Sequence, residues 1–220
     1  LLQQLRETTL ETEFREDILE TLEEALTHKG TTFEDQFLRL FGSWLLELGI
    51  IPVVPRLGFL RGRAQSLISK ELAFSDETNT SVRKRGEELK ELGLKPPLHR
   101  SGEEVNFFLE IEGTRGKVVR RDDAFLVIHP VDQRELKTLS LSEMEQLLEE
   151  APERFSPNAV LRPLVQDHAL PTAAYIPGPT ELLYHGQLGG LYEQFGVPRP
   201  KLFPRPNVAL LETKTLRAAE

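Results

Sequence analysis

At 220 residues, 39% hydrophobic and 28% charged, the chain has the composition of an ordinary soluble globular protein, long enough to bury a core without disulfides or metal. Its formal net charge of −8, from 27 basic and 35 acidic residues, argues against nonspecific nucleic-acid binding, and no apolar run approaches the roughly 20 residues of a membrane span. With no cysteine, disulfide frameworks, thiolate nucleophiles and Cys-based zinc sites are excluded together, and without a signal peptide the chain reads as cytoplasmic.

Leu2, Leu5, Leu10, Phe14, Ile18, Leu22 and Leu26 recur at helical spacing among Glu and Arg, which predicts one amphipathic helix ending at His28-Lys29-Gly30. A second helix is predicted from Thr32, with Glu34 and Asp35 in the first turn and Gly49 at its end. Ile50 to Val54 is apolar throughout and bounded by Gly and Pro, the pattern of a strand covered on both faces. Arg56, Arg61 and Arg63 follow it, where a parallel sheet would present a phosphate or carboxylate site and where a solvated turn is the plainer reading.

A charged helix is predicted from Leu67 to Leu92 with an interruption at Asn79 to Ser81, and Lys95-Pro96-Pro97 marks a boundary. From Val105 to Ile128 the period changes to two, predicting a small antiparallel meander. Ser140 or Ser142 with Glu143 caps a short helix carrying Met144, Leu147 and Leu148 inward.

From Ser156 onward the pattern is helix, buried strand at Thr172 to Ile176, Gly-Pro turn, helix, Pro-rich connection and a last strand after Arg205. The fold expected is α/β: a Rossmann-like parallel sheet core with an inserted antiparallel β-meander and amphipathic helices. Residues 1–97 and 151–220 would supply the core, and residues 98–150 the insertion. Ligands of open α/β sheets bind where strands end and helices begin, which places function near Gly178.

Gly178 allows close backbone approach and Pro179 suits the first helical position, leaving the helix end open to a ligand. Glu181 either holds a hydroxyl or amino group or simply complements the helix dipole, and Tyr184 lies one turn on. Arg162 and Gln166 share a face of the preceding helix, with Asn158 at its entry, and suit a carboxylate; an Arg anchoring a neighbouring helix C-terminus is the competing account. Arg205 and Asn207 lie before the last strand and reach toward the same crevice; a structural salt bridge is the competing account of Arg205. His168 and His185 have no evident partner, and His185 with Glu181 lacks the third ligand of a zinc site. There is no nucleophile elbow, P-loop or G-x-G-x-x-G.

These residues carry a resemblance. The segment ERFSPNAVLRPLVQDHALPTAAYIPGPTELLYHGQLGGLYEQFGVPRPKLFPRPNVALLE, with its S-P-N-x-V-x-R-P-L-x-Q, L-P-T, G-P-x-E-x-x-Y and P-R-x-N motifs, resembles the cysteine-adding ligases of bacillithiol biosynthesis. Upstream, FEDQFLRLFGSWLLELGIIPVV and VNFFLEIEG fit the family's order more loosely, and PRLGFLRGRA stands where the family carries an acidic or Asp-Pro feature. The resemblance implies a Rossmann-like core similar to that of class I aminoacyl-tRNA synthetases, with connecting-peptide insertions and a homodimer formed through a coiled coil mostly outside this chain. It implies a reaction joining cysteine to glucosaminyl-malate, with ATP and Mg expected to activate the cysteine carboxylate as an adenylate. Glu181 and Arg162 become the candidate catalytic residues, while Asn158, Gln166, Gly178, Pro179, Tyr184, Arg205 and Asn207 become the substrate- or nucleotide-binding set. The chain reads as an internal piece of a longer ligase, inactive alone. A different nucleotide-binding transferase on the same core, or a noncatalytic scaffold pairing through Leu1 to Leu26, are the alternatives.

Overall fold

The computed structural model describes residues 2–9, 11–28, 30, 32–54 and 58–209, the side chains of 58, 59 and 61 excepted. The chain divides into two compact units, Leu1–Pro55 and Arg56–Glu220, a division that falls away from the 97/98 and 150/151 boundaries expected from the sequence.

In the first unit the single expected helix is two, α1 (Leu2–Thr8) and α2 (Arg15–Thr27). At the end of α1 the Thr8 and Thr9 hydroxyls donate back to Gln4 O at 2.8 Å and Leu5 O at 2.5 Å. The Arg15 guanidinium then spans the turn to Arg6 O at 2.6 Å. Helix α3 (Phe33–Glu47) starts as expected, in a capping box in which Thr32 N donates to Asp35 Oδ2 at 2.9 Å and Asp35 N to Thr32 Oγ1 at 3.2 Å. Gly49, at φ 74°, takes the left-handed conformation that ends it.

Ile50 to Val54 forms no strand, a correction to the sequence expectation. A continuous apolar run is a buried strand only if neighbours pair with it on its edges and cover its faces. Ile50, Ile51 and Val53 are instead 48%, 78% and 45% exposed.

The second unit is built on α4 (Gly58–Glu91), a long helix broken at Phe74 (φ −127°, ψ 27°) rather than at 79–81. Against it lies a five-stranded antiparallel sheet of β1 (Glu104–Ile111), β2 (Thr114–Arg121), β3 (Ala124–Ile128), β4 (Glu135–Ser140) and β5 (Phe155–Pro157), ordered β4-β3-β2-β1-β5. The turns are those the sequence signals: Glu112 and Gly113 adopt φ of 48° and 76° between β1 and β2, and Asp122 adopts 50° between β2 and β3. Gly116 belongs to β2 itself, where a Cβ would lie 2.4 Å from Val127 Cγ1 on β3. Helix α5 (Leu141–Glu150) begins at the Ser140–Glu143 capping box and buries Met144 and Leu148.

The chain continues through α6 (Leu161–Ala169), β6 (Ala174–Tyr175), α7 (Pro179–Gln187), α8 (Gly189–Phe195) and β7 (Lys201–Leu202). The core gathers Leu67, Ile68 and Leu72 of α4, Phe107 and Leu109 of β1, Val118, Phe125 and Val127 of the meander, and Leu161 and Leu164 of α6. Phe107 and Phe155 meet across β1 and β5 with ring centroids 5.5 Å apart.

The protein is therefore α/β, but its main sheet is antiparallel, and the meander shares one core with α4 and α6. Among the described residues the parallel arrangement is confined to β6 and β7, which pair Ala174 with Lys201 and Tyr175 with Leu202. Here too the expectation needs correcting: β6 is two residues long and not buried, with Ile176 60% exposed. The closing strand lies before Arg205 instead of after it, and residues 210–212 of the expected one fall outside the described region. What remains of the α/β reading is a strand–helix–strand crossover whose two short strands both point toward the Gly178 turn.

Candidate functional site

The turn after β6 and the first turn of α7 bring several of the candidate side chains together. Pro177 and Gly178 are buried, and the Glu181 carboxylate reaches back so that Gly178 N donates to its Oε2 at 2.9 Å. Its other oxygen, Oε1, accepts from the Tyr175 hydroxyl at 2.8 Å and the Tyr184 hydroxyl at 3.2 Å. The Tyr184 hydroxyl in turn accepts from Arg162 Nη2 at 2.8 Å, across from α6.

The Gly178 amide holds the Glu181 carboxyl below the ordinary carboxylate range, with the Tyr175 and Tyr184 hydroxyls and the nearby Arg162 charge acting in the same direction. Fully solvated by donors and ionised, Glu181 is an orienting group and a poor proton acceptor. Burial, and then the hydrogen bond to Glu181, push the Tyr175 phenol up, so it stays a donor. The helix end is thus partly filled by its own side chain, where the sequence had left it open.

Arg205 completes the cluster. Its backbone N donates to Pro177 O at 2.9 Å, and a Cβ placed on Gly178 would come within 2.7 Å of its Nη2. Glycine at 178 is therefore a requirement of space, to let the guanidinium lie against the turn; its φ of −71° is open to any residue. Of two exposed guanidiniums, Arg162 joins the network centred on Glu181 through Tyr184, and Arg205 lies beside it against the Gly178 turn. Such an edge suits an anionic ligand, a carboxylate or a phosphate.

Beneath this edge lies a second layer. His185 sits between Tyr175 and Tyr184, with ring centroids 4.7 and 5.0 Å away, and neither ring nitrogen has a hydrogen-bond partner. Burial holds its pKa below the ordinary histidine value, so the imidazole is neutral at pH 7. Tyr192 of α8 donates to Asp167 Oδ2 of α6 at 2.7 Å, both residues buried. Tyr175, two residues before Pro177, was not singled out from the sequence, and the Asp167–Tyr192 pair spans 25 positions with no local signal.

The remaining candidates are placed elsewhere. Asn158 faces the interior and caps α6, its Oδ1 accepting from Val160 N at 2.8 Å. Gln166 is half-buried one turn after Arg162, and Pro179 and Asn207 are exposed. His168 lines a separate open groove of about 690 Å³ with Arg63, Ser66, Glu145 and Glu149, away from the Glu181 network. Arg56 lies outside the described residues.

Comparison with known proteins shows the family of the chain. A family model described as "Bacillithiol biosynthesis BshC, N-terminal Rossmann-like domain" matches residues 1–206. The chain is similar to proteins named "Putative cysteine ligase BshC" from three bacteria. It is 32% identical over 208 residues to the one from Salinibacter ruber, covering 94% of this chain and 37% of that protein. It is 30% identical over 213 residues to the one from Bacillus mycoides, covering 97% and 38%. For Chloroherpeton thalassium the figures are 30% over 210 residues, covering 96% and 36%. The chain thus spans little more than a third of the length of these relatives.

Proposed function

From its membership of the bacillithiol biosynthesis BshC family, as the N-terminal Rossmann-like domain, we propose that this chain supplies an anionic-substrate site of a cysteine ligase. The reaction forms an amide between the cysteine carboxyl carbon and the amino nitrogen of glucosaminyl-malate. A carboxyl C–O bond breaks with its oxygen leaving on the activating phosphate, a C–N bond forms, and the ammonium loses two of its three protons, the amide nitrogen keeping one. A free carboxylate does not acylate an amine at useful rates, so a nucleotide, when bound, supplies the leaving group that makes the cysteine carboxyl reactive.

The observation that carries the reading is the Arg162–Tyr184–Glu181–Gly178 network with Arg205 laid against it. Arg162 and Arg205 bind the malate carboxylates or a phosphate, and Glu181 and Tyr184 fix Arg162 in place. Among the described residues no three His, Asp or Glu side chains gather as a metal cage. The two guanidiniums are the groups here that would meet the phosphate end of a nucleotide. Dimerisation through a coiled coil belongs to the same proposal.

The test is substitution of Arg162 by Ala and by Lys in the whole protein, with binding of glucosaminyl-malate and turnover measured separately. Loss of affinity in both variants supports the assignment, because Lys cannot reproduce the planar fork. Unchanged affinity and turnover in Arg162→Ala removes it.

A further inference from the structure

A buried polar chain links the far side of α6 to α4. Glu71 of α4 is fully buried, and its Oε1 accepts from both Asn106 N at 2.9 Å and Asn106 Nδ2 at 2.8 Å. The antiparallel register of β1 and β2 shifts between Glu104 and Phe108, an irregularity in which three successive residues, Val105 to Phe107, are all buried. Asn106 Oδ1 accepts from Asn158 Nδ2 at 3.1 Å, and Asn106 O from Asn158 N at 3.1 Å. Asn158 then holds the start of α6 through Val160 N and, with its backbone oxygen, takes the amide of Arg162 itself at 2.8 Å.

We propose that Glu71 is a positioning residue for the Arg162 site, acting through Asn106 and Asn158 on the first turn of α6. The proposal rests on the functional reading for its consequence, but its physical core is the relay alone.

Nothing in this chain requires a carboxylate to satisfy it. The groups that Glu71 Oε1 meets are amides, and its Oε2 is buried without a hydrogen bond of ordinary geometry, although the Thr78 hydroxyl, which donates to Phe74 O, acts on the carboxyl. The charge acting on it is Arg100, which is itself paired with Glu104 at 3.2 Å. Burial outweighs these donors and pushes the Glu71 carboxyl up to about 7. Ionising it places an unpaired charge among Asn106, Ser75 and Thr78 at the Phe74 break, where α4 is already out of helical geometry. The Asn106 donors favour the charged form, so it is the desolvation of the buried charge that makes states in which α4 and β1 part more accessible at alkaline pH, and with them the opening of the α6 amides that Asn158 holds.

The experiment is nuclear magnetic resonance on this chain with carbon-13-labelled glutamate side chains, from about pH 5.5 to about pH 8.5. The Glu71 carboxyl is expected to titrate near neutrality. Exchange of the Val160, Leu161 and Arg162 amides, normalised for intrinsic chemistry, is expected to rise several-fold over the same range, while the Met144 and Leu148 amides of α5 stay constant. In Glu71→Gln the α6 amides should show no such rise. A Glu71 midpoint in the ordinary carboxylate range, or α6 exchange that follows the same pH profile in wild type and Glu71→Gln, overturns the relay; the wild-type titration decides even if the variant fails to fold. Malate binding by the whole protein over the same pH range, in wild type and Glu71→Gln, separates the two readings. Absence of malate binding at every pH with the exchange result intact counts against the function and leaves the relay standing. Malate affinity that falls several-fold toward alkaline pH in wild type but not in Glu71→Gln supports both.

Discussion

Arg162 Nη2 donates to the Tyr184 hydroxyl at 2.8 Å, so the second residue of α6 is fixed by the sixth residue of α7. Since that hydroxyl also donates to Glu181 Oε1 at 3.2 Å, one phenol sets the direction of a guanidinium and shares the load of a carboxylate. Tyr184→Phe keeps the ring against His185 and removes both bonds. It should lower affinity for glucosaminyl-malate by roughly fivefold, about 1 kcal/mol, with little change in fold stability. Isothermal titration on the whole protein measures the first, and thermal unfolding the second.

Gly178→Ala tests space apart from conformation. The backbone tolerates alanine, but the new Cβ would lie 2.7 Å from Arg205 Nη2, the far end of a flexible chain. The fold should lose no more than about 0.5 kcal/mol because Arg205 swings away, while ligand affinity falls as far as in Arg205→Ala. If Gly178→Ala binds as wild type does, Arg205 has no part in the site.

Much of the second unit was legible. The Ser140–Glu143 box, the period-two meander and its turns are local signals, and the structure follows them. So was the meeting of Arg162, Gly178, Glu181, Tyr184 and Arg205, because a Gly-Pro turn opening a helix concentrates side chains at one place. What the sequence could not reveal depends on partners remote in the chain. Ile50 to Val54 has the composition of a covered strand yet is exposed, since composition says nothing about whether neighbours are there to pair. Asn158 looked like a ligand-binding residue, and only the fold shows that its amide is committed to Asn106, 52 positions earlier. His185 was read with Glu181 as lacking the third ligand of a zinc site, and the fold buries it between two tyrosines.

The Glu71 carboxyl gives stability a particular pH dependence. With its value raised from 4.5 in the unfolded chain to about 7 in the fold, the folded protein holds the proton more tightly. The contribution is complete below about pH 4.5 and is lost as pH rises toward 7, about 3 kcal/mol in all. Urea unfolding followed by circular dichroism at a series of pH values should show this decline in wild type relative to Glu71→Gln. Parallel curves for the two proteins would contradict it.

Two further substitutions test packing, one in the meander and one beneath the site. Gly116→Ala drives a methyl to 2.4 Å from Val127 Cγ1, with Ile128 O at 3.3 Å leaving no room to yield on the backbone side, and should cost about 1 to 3 kcal/mol. Tyr192→Phe leaves Asp167 buried with neither oxygen hydrogen-bonded, which should cost a similar 1 to 3 kcal/mol, roughly. Chemical denaturation reads both.

The most direct test of the ligase reading is mass-detected formation of the cysteinyl product by the whole protein from glucosaminyl-malate, cysteine and ATP with Mg, omitting each component in turn. Product that requires cysteine and nucleotide, and that falls sharply in Arg162→Ala, is the predicted result. No product from folded whole protein, or product formed equally well by Arg162→Ala, would contradict it.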